Sequence, residues 1–292
     1  MFRVTSDMQR TRRRTLRALG ATALGASIAG CPSGDDAPTD DPGDEENDDS
    51  PTDEGDDERR DGVTVQSVAA RPEVVTLNTP DSYDVYGGRS SQYVVAEVAV
   101  ASPGDHPPES FAVETGGETY DTTSVGPGQG NAFLAGLGGV YRARGNDSSG
   151  WLAFSLPKPL EAETATLTWE GASHEFGEAA LERLRRPPAS FDVHFEAPDA
   201  VTPGETVTAA VTAENTGHVD GTFVGALNRV GPRIAYAPEA AIVLDVPSGE
   251  SASWEFEHDL EFRYENREDP RMRLHLLWND ENVTREVDIE SE

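Results

Sequence analysis

Short runs of alternating apolar residues, separated by glycine- and proline-containing turns, constrain this chain more than any other feature. YVVAEVAV, Tyr93 to Val100, sets Val94, Ala96, Val98 and Val100 on one face; WLAFSLP groups Leu152, Phe154 and Leu156, and ATLTW groups Ala165, Leu167 and Trp169. A period of two is the pleat of a β-strand with one buried face. Ser102-Pro103-Gly104, Gly116-Gly117 and Gly171 stand between such runs, and residues of these types end strands and reverse the chain. Strands of this kind, without helices alternating between them, predict an antiparallel sandwich rather than a parallel α/β sheet.

The pattern continues past residue 190. FDVHF aligns Phe191, Val193 and Phe195, and VTPGETVTAAVTAENTG supplies a turn at Pro203-Gly204-Glu205, a strand with Val207, Ala209, Val211 and Ala213 on one face, and an end at Asn215-Thr216-Gly217. Further strands are expected in TFVGALNRV, AAIVLDVPSGESASWEFEH, RMRLHLLWN and VTREVDI. One helical pattern interrupts them: EAALERLRR, Glu178 to Arg186, places Leu181 and Leu184 three apart and stops at Pro187-Pro188, which reads as a short connector. The predicted fold class is all-β, with two antiparallel β-sandwiches at 62–186, including the helix, and 187–292. Trp169, Trp254 and Trp278 are the expected core fillers; Trp151, after a glycine-rich loop, is open to either a core position or half-exposure.

The strand order over residues 62 to 176, through YVVAEVAV, FAVETGGETYD and WLAFSLP, resembles the immunoglobulin-like domains of prokaryotic lipoproteins. Residues 190–292 resemble the cell-adhesion-related and fibronectin-like modules of archaeal and bacterial surface proteins, where a Pro-Gly-Glu turn leads into a period-two strand closing with Asn-x-Gly. These resemblances imply immunoglobulin-like sandwiches and carry little about function.

The N-terminal stretch TRRRTLRALGATALGASIAGC runs from Thr11 to Cys31 and ends on the chain's one cysteine. A basic start, an apolar middle and small residues before a cleavage point are the parts of an export signal. The thirteen residues Ala18 to Gly30 fall short of the roughly 20 that a spanning helix needs. Arg13-Arg14-Thr15-Leu16 resembles the twin-arginine export motif, from which Arg17 departs, and Ile28-Ala29-Gly30-Cys31 resembles a lipobox. The resemblance implies a signal peptide at 1–30 and lipidation of Cys31, which would hold the protein on the outer face of the cell membrane. Two acyl chains, at about 0.8 kcal/mol per buried CH₂, suffice for stable attachment. A cysteine so used leaves none for an intrachain disulfide or a cysteine-ligated copper site.

Charge describes the surroundings. Asp and Glu number 54 against 22 arginines and one lysine, Lys158, for a net charge of −31. Such self-repulsion strains a fold in dilute buffer and is screened in brine, where the Debye length is about 3 Å at 1 M. The composition resembles that of haloarchaeal secreted lipoproteins, and it excludes nucleic acid as a partner, which needs a basic face. Residues 32–61 alone hold 15 acids and two arginines, with Ala37 the sole apolar side chain besides prolines. Such a segment buries too little to offset ordering entropy, so 31–61 is expected to be a lipid-anchored, disordered acidic linker.

The search for chemistry returns few candidates. The six histidines lack H-x-x-x-H or H-x-H spacing, and there is no G-x-S-x-G, so no catalytic residue, metal or cofactor is expected and the chain does not read as an enzyme. His194, His258 and His275 are expected to point outward from strands. The loop GPGQGNAFLAGLGG, Gly126 to Gly139, with Phe133, Tyr141, Arg142, Arg144 and Trp151, is the candidate contact surface for an envelope protein or a glycan. Asn146-Asp-Ser and Asn282-Val-Thr are candidate N-glycosylation sites. The functional expectation is a membrane-anchored, extracytoplasmic, non-catalytic binding module. Its alternative is a solute- or ion-binding accessory subunit of a transporter or envelope enzyme, with the ligand in a cleft between domains.

Overall fold

The alternating runs become strands, and several of them are buried on both faces. The computed structural model describes residues 59–60, 62–79, 81–125, 133–134, 137–144, 148–232, 234–260 and 271–290. All of these belong to one compact unit, Thr52–Glu292. The export motif at Arg13 and Arg14, the lipidation candidate Cys31 and residues 32–58 of the acidic segment lie outside the described residues.

The chain first forms β1 (Arg59–Arg60), β2 (Val63–Arg71), β3 (Glu73–Thr79), β4 (Ser82–Gly87), β5 (Ser91–Val100), β6 (Ala112–Thr115), β7 (Glu118–Asp121), β8 (Phe133–Leu134), β9 (Gly138–Gly139), β10 (Ser149–Pro157), β11 (Ala165–Trp169), β12 (Ala172–Glu175) and helix α1 (Glu178–Arg185). It continues with β13 (Phe191–Glu196), β14 (Ala200–Val201), β15 (Thr206–Asn215), β16 (Gly221–Val230), β17 (Ala237–Val246), β18 (Ser251–Asp259), β19 (Arg271–Trp278) and β20 (Glu281–Ile289). The sheets run β1-β2-β5-β10, β12-β11-β6-β7 and β4-β3-β8-β9 before the helix, and β13-β15-β18 and β14-β20-β19-β16-β17 after it. The named pairings are antiparallel except β14 with β20, so the all-β class is what the chain adopts. Arg59 and Arg60, the two bases of the acidic segment, pair with Thr64 and Val63.

The first core lies between β2-β5-β10 and β11-β6. Val94, Ala96, Val98 and Val100 meet Phe111, Val113, Leu152, Phe154, Leu156, Ala165, Leu167 and Trp169. Helix α1 adds Leu181 and Leu184 to this core, and its C-terminal end is tied down by hydrogen bonds. Leu160 N and Gln92 Nε2 both donate to the Leu184 carbonyl, at 2.8 and 2.7 Å. A second core, which includes Phe195, Val207, Ala209, Val211, Ala213, Phe256, Met272, Leu274 and Leu276, fills the space between the two sheets of the other half.

Between these halves lies the small β3–β4 hairpin. Val74 of β3 faces Tyr93, Val95, Trp151 and Ala153 on the reverse side of β5 and β10. Its neighbour Val75 faces Val224 and Ala226 of β16, joined by Tyr83 and Val85 from β4. Strands β3, β5, β10 and β16 are therefore covered on both sides, and their sequences show it as continuous apolar runs such as Phe223-Val224-Gly225-Ala226-Leu227 rather than clean alternation.

The interface is fixed by a polar contact. Asn228, 1% exposed, sits where the β16–β17 register shifts. Tyr83 N donates to its Oδ1 at 2.7 Å, and its Nδ2 donates to the Tyr83 carbonyl at 2.9 Å. Asn215, fully buried, plays a comparable part at the other end of the second half. Its Nδ2 donates to the Val219 and Val246 carbonyls at 2.8 and 2.9 Å, and its Oδ1 accepts from Gly217 N at 3.0 Å. The Asn-Thr-Gly close of β15 is thus a loop anchor. The Pro203-Gly204 turn forms with a bond from Glu205 N to the Thr202 carbonyl at 3.0 Å and Gly204 at φ +93°, the left-handed position that favours glycine in a type II turn.

Trp169 and Trp278 are buried and Trp254 packs partly against the second core. Of the two readings open for Trp151, the core position is the one adopted, with the side chain 1% exposed. Its strand is crossed by the chain after β9, with Tyr141 N donating to the Trp151 carbonyl at 2.9 Å. The crossing is so close that a Cβ on Gly150 would lie 2.5 Å from Tyr141 N, which is why glycine precedes the tryptophan.

Asn228→Asp keeps the side-chain shape but removes the donor to the Tyr83 carbonyl and sets a carboxylate against it. We expect a loss of about 2–3 kcal/mol in urea unfolding at neutral pH. The loss should shrink as pH falls, because the protonated carboxyl can donate again; a loss independent of pH would count against this pairing.

Candidate functional site

A charged cleft of about 190 Å³ opens where the two halves meet. Its first wall comes from the β2–β3 junction, where Arg71 and Glu73 flank Pro72, from Lys158 just after β10, and from Arg183 and Arg186 on α1 and its end. Its second wall comes from Asp220, Thr222, Val243, Asp245 and Trp278. The chain leaving α1 passes tightly by the start of β16, where a Cβ on Gly221 would meet Ala189 Cβ at 2.3 Å; both residues line the cleft.

The walls carry opposite charge. Lys158, the one lysine of the chain, lies 3.4 Å from Glu73 Oε1, with the side chains 9% and 11% exposed. Burial pushes the Glu73 carboxyl above the usual carboxylate range, and the Lys158 ammonium offsets part of that rise. Arg71 is half-buried, and its Nε is buried with no hydrogen-bond partner. Burial draws its guanidinium below its ordinary value; Glu97 opposes that, and nearby Arg183 adds to it. Opposite them, Asp245 Oδ1 accepts from Thr222 Oγ1 at 2.7 Å and Asp220 Oδ1 accepts from Ser248 N at 3.0 Å. The site can hold a small polar or charged molecule between a basic and an acidic wall.

The contact surface expected around the glycine-rich loop is placed differently. Tyr141 and Trp151 are each 1% exposed and belong to cores, so neither is offered to a partner. The Tyr141 hydroxyl donates to the His106 carbonyl at 2.7 Å, and its ring meets Phe111 edge-on at 6.1 Å. The reason is the crossing over β10, which turns both rings inward. Arg142 is half-buried, Arg144 is exposed, and Phe133 lies in β8 with its side chain outside the described residues. Asn146 is also outside them, whereas Asn282 is exposed on β20 opposite Leu277.

Among the histidines, His194 is exposed and bonded to Glu196 Oε1 at 2.9 Å, and His275 lies outward, stacked on Tyr236 at 5.8 Å. His258 does not point outward: it shares the inner row of Trp254 and Phe256 on β18 and stacks on Phe256 at 6.2 Å. Among the described residues no group of three or more His, Cys, Asp or Glu could hold a metal ion. Sequence reasoning missed Arg71, Lys158 and Arg183. The one available signal was Lys158 itself, a lone lysine where every other base is arginine.

Because Glu73 titrates above its ordinary value in the folded chain, its ionisation costs stability. The contribution is full below the ordinary carboxylate pKa and is lost as pH rises through the raised value. Lys158→Met removes the charge that offsets this cost. We expect the variant to lose about 3 kcal/mol at pH 7.5 relative to the parent and much less at pH 4, with Lys158→Met combined with Glu73→Gln recovering most of it. Urea unfolding at the two pH values checks this, and equal losses at both would sink it.

No family model and no curated protein matches the chain. Among solved structures, a β-glucosidase from Listeria innocua in complex with glucose is similar at 19% identity and a TM-score of 0.30, over 36% of this chain and 17% of that one. The CARDB domain of a Pyrococcus furiosus protein in complex with di-metal ions is similar at 11% identity and a TM-score of 0.28, over 35% of this chain and 89% of that one. An alkylpurine DNA glycosylase from Pseudomonas fluorescens, bound to DNA containing an abasic site analogue, is similar at 15% identity and a TM-score of 0.26, over 34% and 30%. The chain spans under a fifth of the length of the Listeria β-glucosidase, and each likeness is confined to about a third of this chain.

Proposed function

We propose that this chain is a lipid-anchored, extracytoplasmic, non-catalytic binding module of a halophile, in which two immunoglobulin-like β-sandwiches joined through α1 are carried on an acidic spacer. The observation that carries the reading is the order of features around Cys31. The basic run, the short apolar run and the sole cysteine are followed by a segment with 15 acids between residues 32 and 61. Twin-arginine export suits a protein that leaves the cell folded. The two halves packed across β3–β4 would then face outward as one body, with its partner an envelope protein or a glycan.

A second reading, a solute- or ion-binding accessory subunit, is favoured by the charged cleft at the junction of the halves. Clefts between domains are a common place for small ligands, since both walls can contribute polar groups.

Membrane fractionation tests the anchor: the parent chain should sediment with membranes, and Cys31→Ser should move to the soluble fraction. A Cys31→Ser protein that stays membrane-bound refutes lipid anchoring. Photo-crosslinking on intact cells should capture an envelope protein or glycan with the parent chain, and capture of none would refute the interaction module.

A further inference from the structure

We infer that the cleft at the junction of the halves is a site for a small organic monocarboxylate, gripped by Arg71 with Arg183 beside it. The inference rests on the solute-binding reading and names its ligand class.

The first observation is an unused cation in an acid-rich chain. Residues 62–292 contain 38 acids and 15 bases, and several arginines find carboxylates: Arg186 with Glu182, Arg229 with Glu239, and Arg271 and Arg273 with Glu286. The side chains of Arg71 and Arg183 make no hydrogen bond or ion pair with any described residue. Glu97, the acid whose field reaches Arg71, accepts from Ser67 Oγ at 2.7 Å. Lys158 is committed to Glu73, and the buried Gln92 amide to two carbonyls.

The second observation is geometric. Arg71 lines the cleft; its Nε is buried without an acceptor and so closed to solvent, which leaves the Nη edge of the guanidinium to meet a ligand there. Guanidinium N–H groups form a planar fork that a carboxylate engages in pairs, while a spherical anion such as chloride meets them one at a time. In concentrated salt the long-range attraction of the site is screened, so selection falls to these contact bonds. An anion beside Arg71 would also relieve its repulsion by Arg183.

The opposite wall narrows the ligand. Asp220 and Asp245 would repel a second negative charge, so polyanions are disfavoured, while a hydroxyl or ammonium beside the carboxylate could donate to them. A volume of about 190 Å³ has room for molecules on the scale of several waters, each taking roughly 30 Å³ in the liquid, and so for an acid of a few carbons.

Sodium lactate is the probe, and the full chain in molar salt is titrated by calorimetry with lactate, its neutral isostere lactamide, and sodium chloride and sulfate at matched ionic strength. Lactate should bind saturably, and lactamide, chloride and sulfate should not. Arg71→Gln should weaken lactate about tenfold or more, Arg71→Lys less, and Arg142→Gln, another half-buried arginine outside the cleft, not at all. Thermal melts confirm that each variant is folded. Non-saturable heats, an effect that any sodium salt reproduces, or undiminished binding by folded Arg71→Gln overturns the inference. A saturable heat from glucose or magnesium chloride where lactate gives none would overturn this ligand class and keep the solute-binding reading, whereas no saturable heat from any of the three ends both.

Discussion

A side-chain amide, pairing in both directions with the backbone of one residue, ties the two halves together. The Asn228 carboxamide gives Tyr83 the donor and acceptor that a neighbouring strand would. Because Asn228 is 1% exposed, its carboxamide has little water as an alternative, and the bonds are worth more than their surface equivalents. The apolar patch around Val75, Val224 and Ala226 is small, so burial alone would tolerate sliding. The amide adds a directional contact, with a donor and an acceptor that must both be met.

The hairpin that carries Tyr83 is unusual in its demands. Its inner strand must present Val74 to one half and Val75 to the other, which leaves Val74, Val75 and Thr76 no solvated face on which to place charge. A chain with 54 acidic residues can bury such a strand only by confining its carboxylates elsewhere. The exposed positions of β18 and β20 do this, with Glu255, Glu257, Glu281 and Glu286 pointing to solvent. Glu73, drawn inward at the start of β3, is met by Lys158.

Alternation in the sequence located the two larger cores well, because Val94 to Val100, Leu152 to Leu156 and Val207 to Ala213 each bury the face that period two selects. It failed where both faces are covered. Tyr93, Val95 and Ala153 occupy positions that the pattern assigns outward, and only their apolar character hinted at a further layer. The cleft was illegible for a different reason: Arg71, Lys158 and Arg183 are separated by 87 and 25 positions in the chain, and no local spacing links them. The glycine-rich loop misled because its composition announced exposure, while the neighbouring Tyr141 and Trp151 are held inward by a backbone crossing that composition does not encode.

The burial of Lys158 has a chemical consequence that reaches beyond the cleft. It is the only ε-amine in the chain, and its side chain is 9% exposed. The folded surface therefore offers acylating reagents, amine-directed crosslinkers and lysine-specific proteases almost nothing to attack. Arginine, whose guanidinium stays charged and resists acylation, supplies every other Lys/Arg-type cation of the chain, so modification chemistry aimed at the lysine amine finds its one target largely covered.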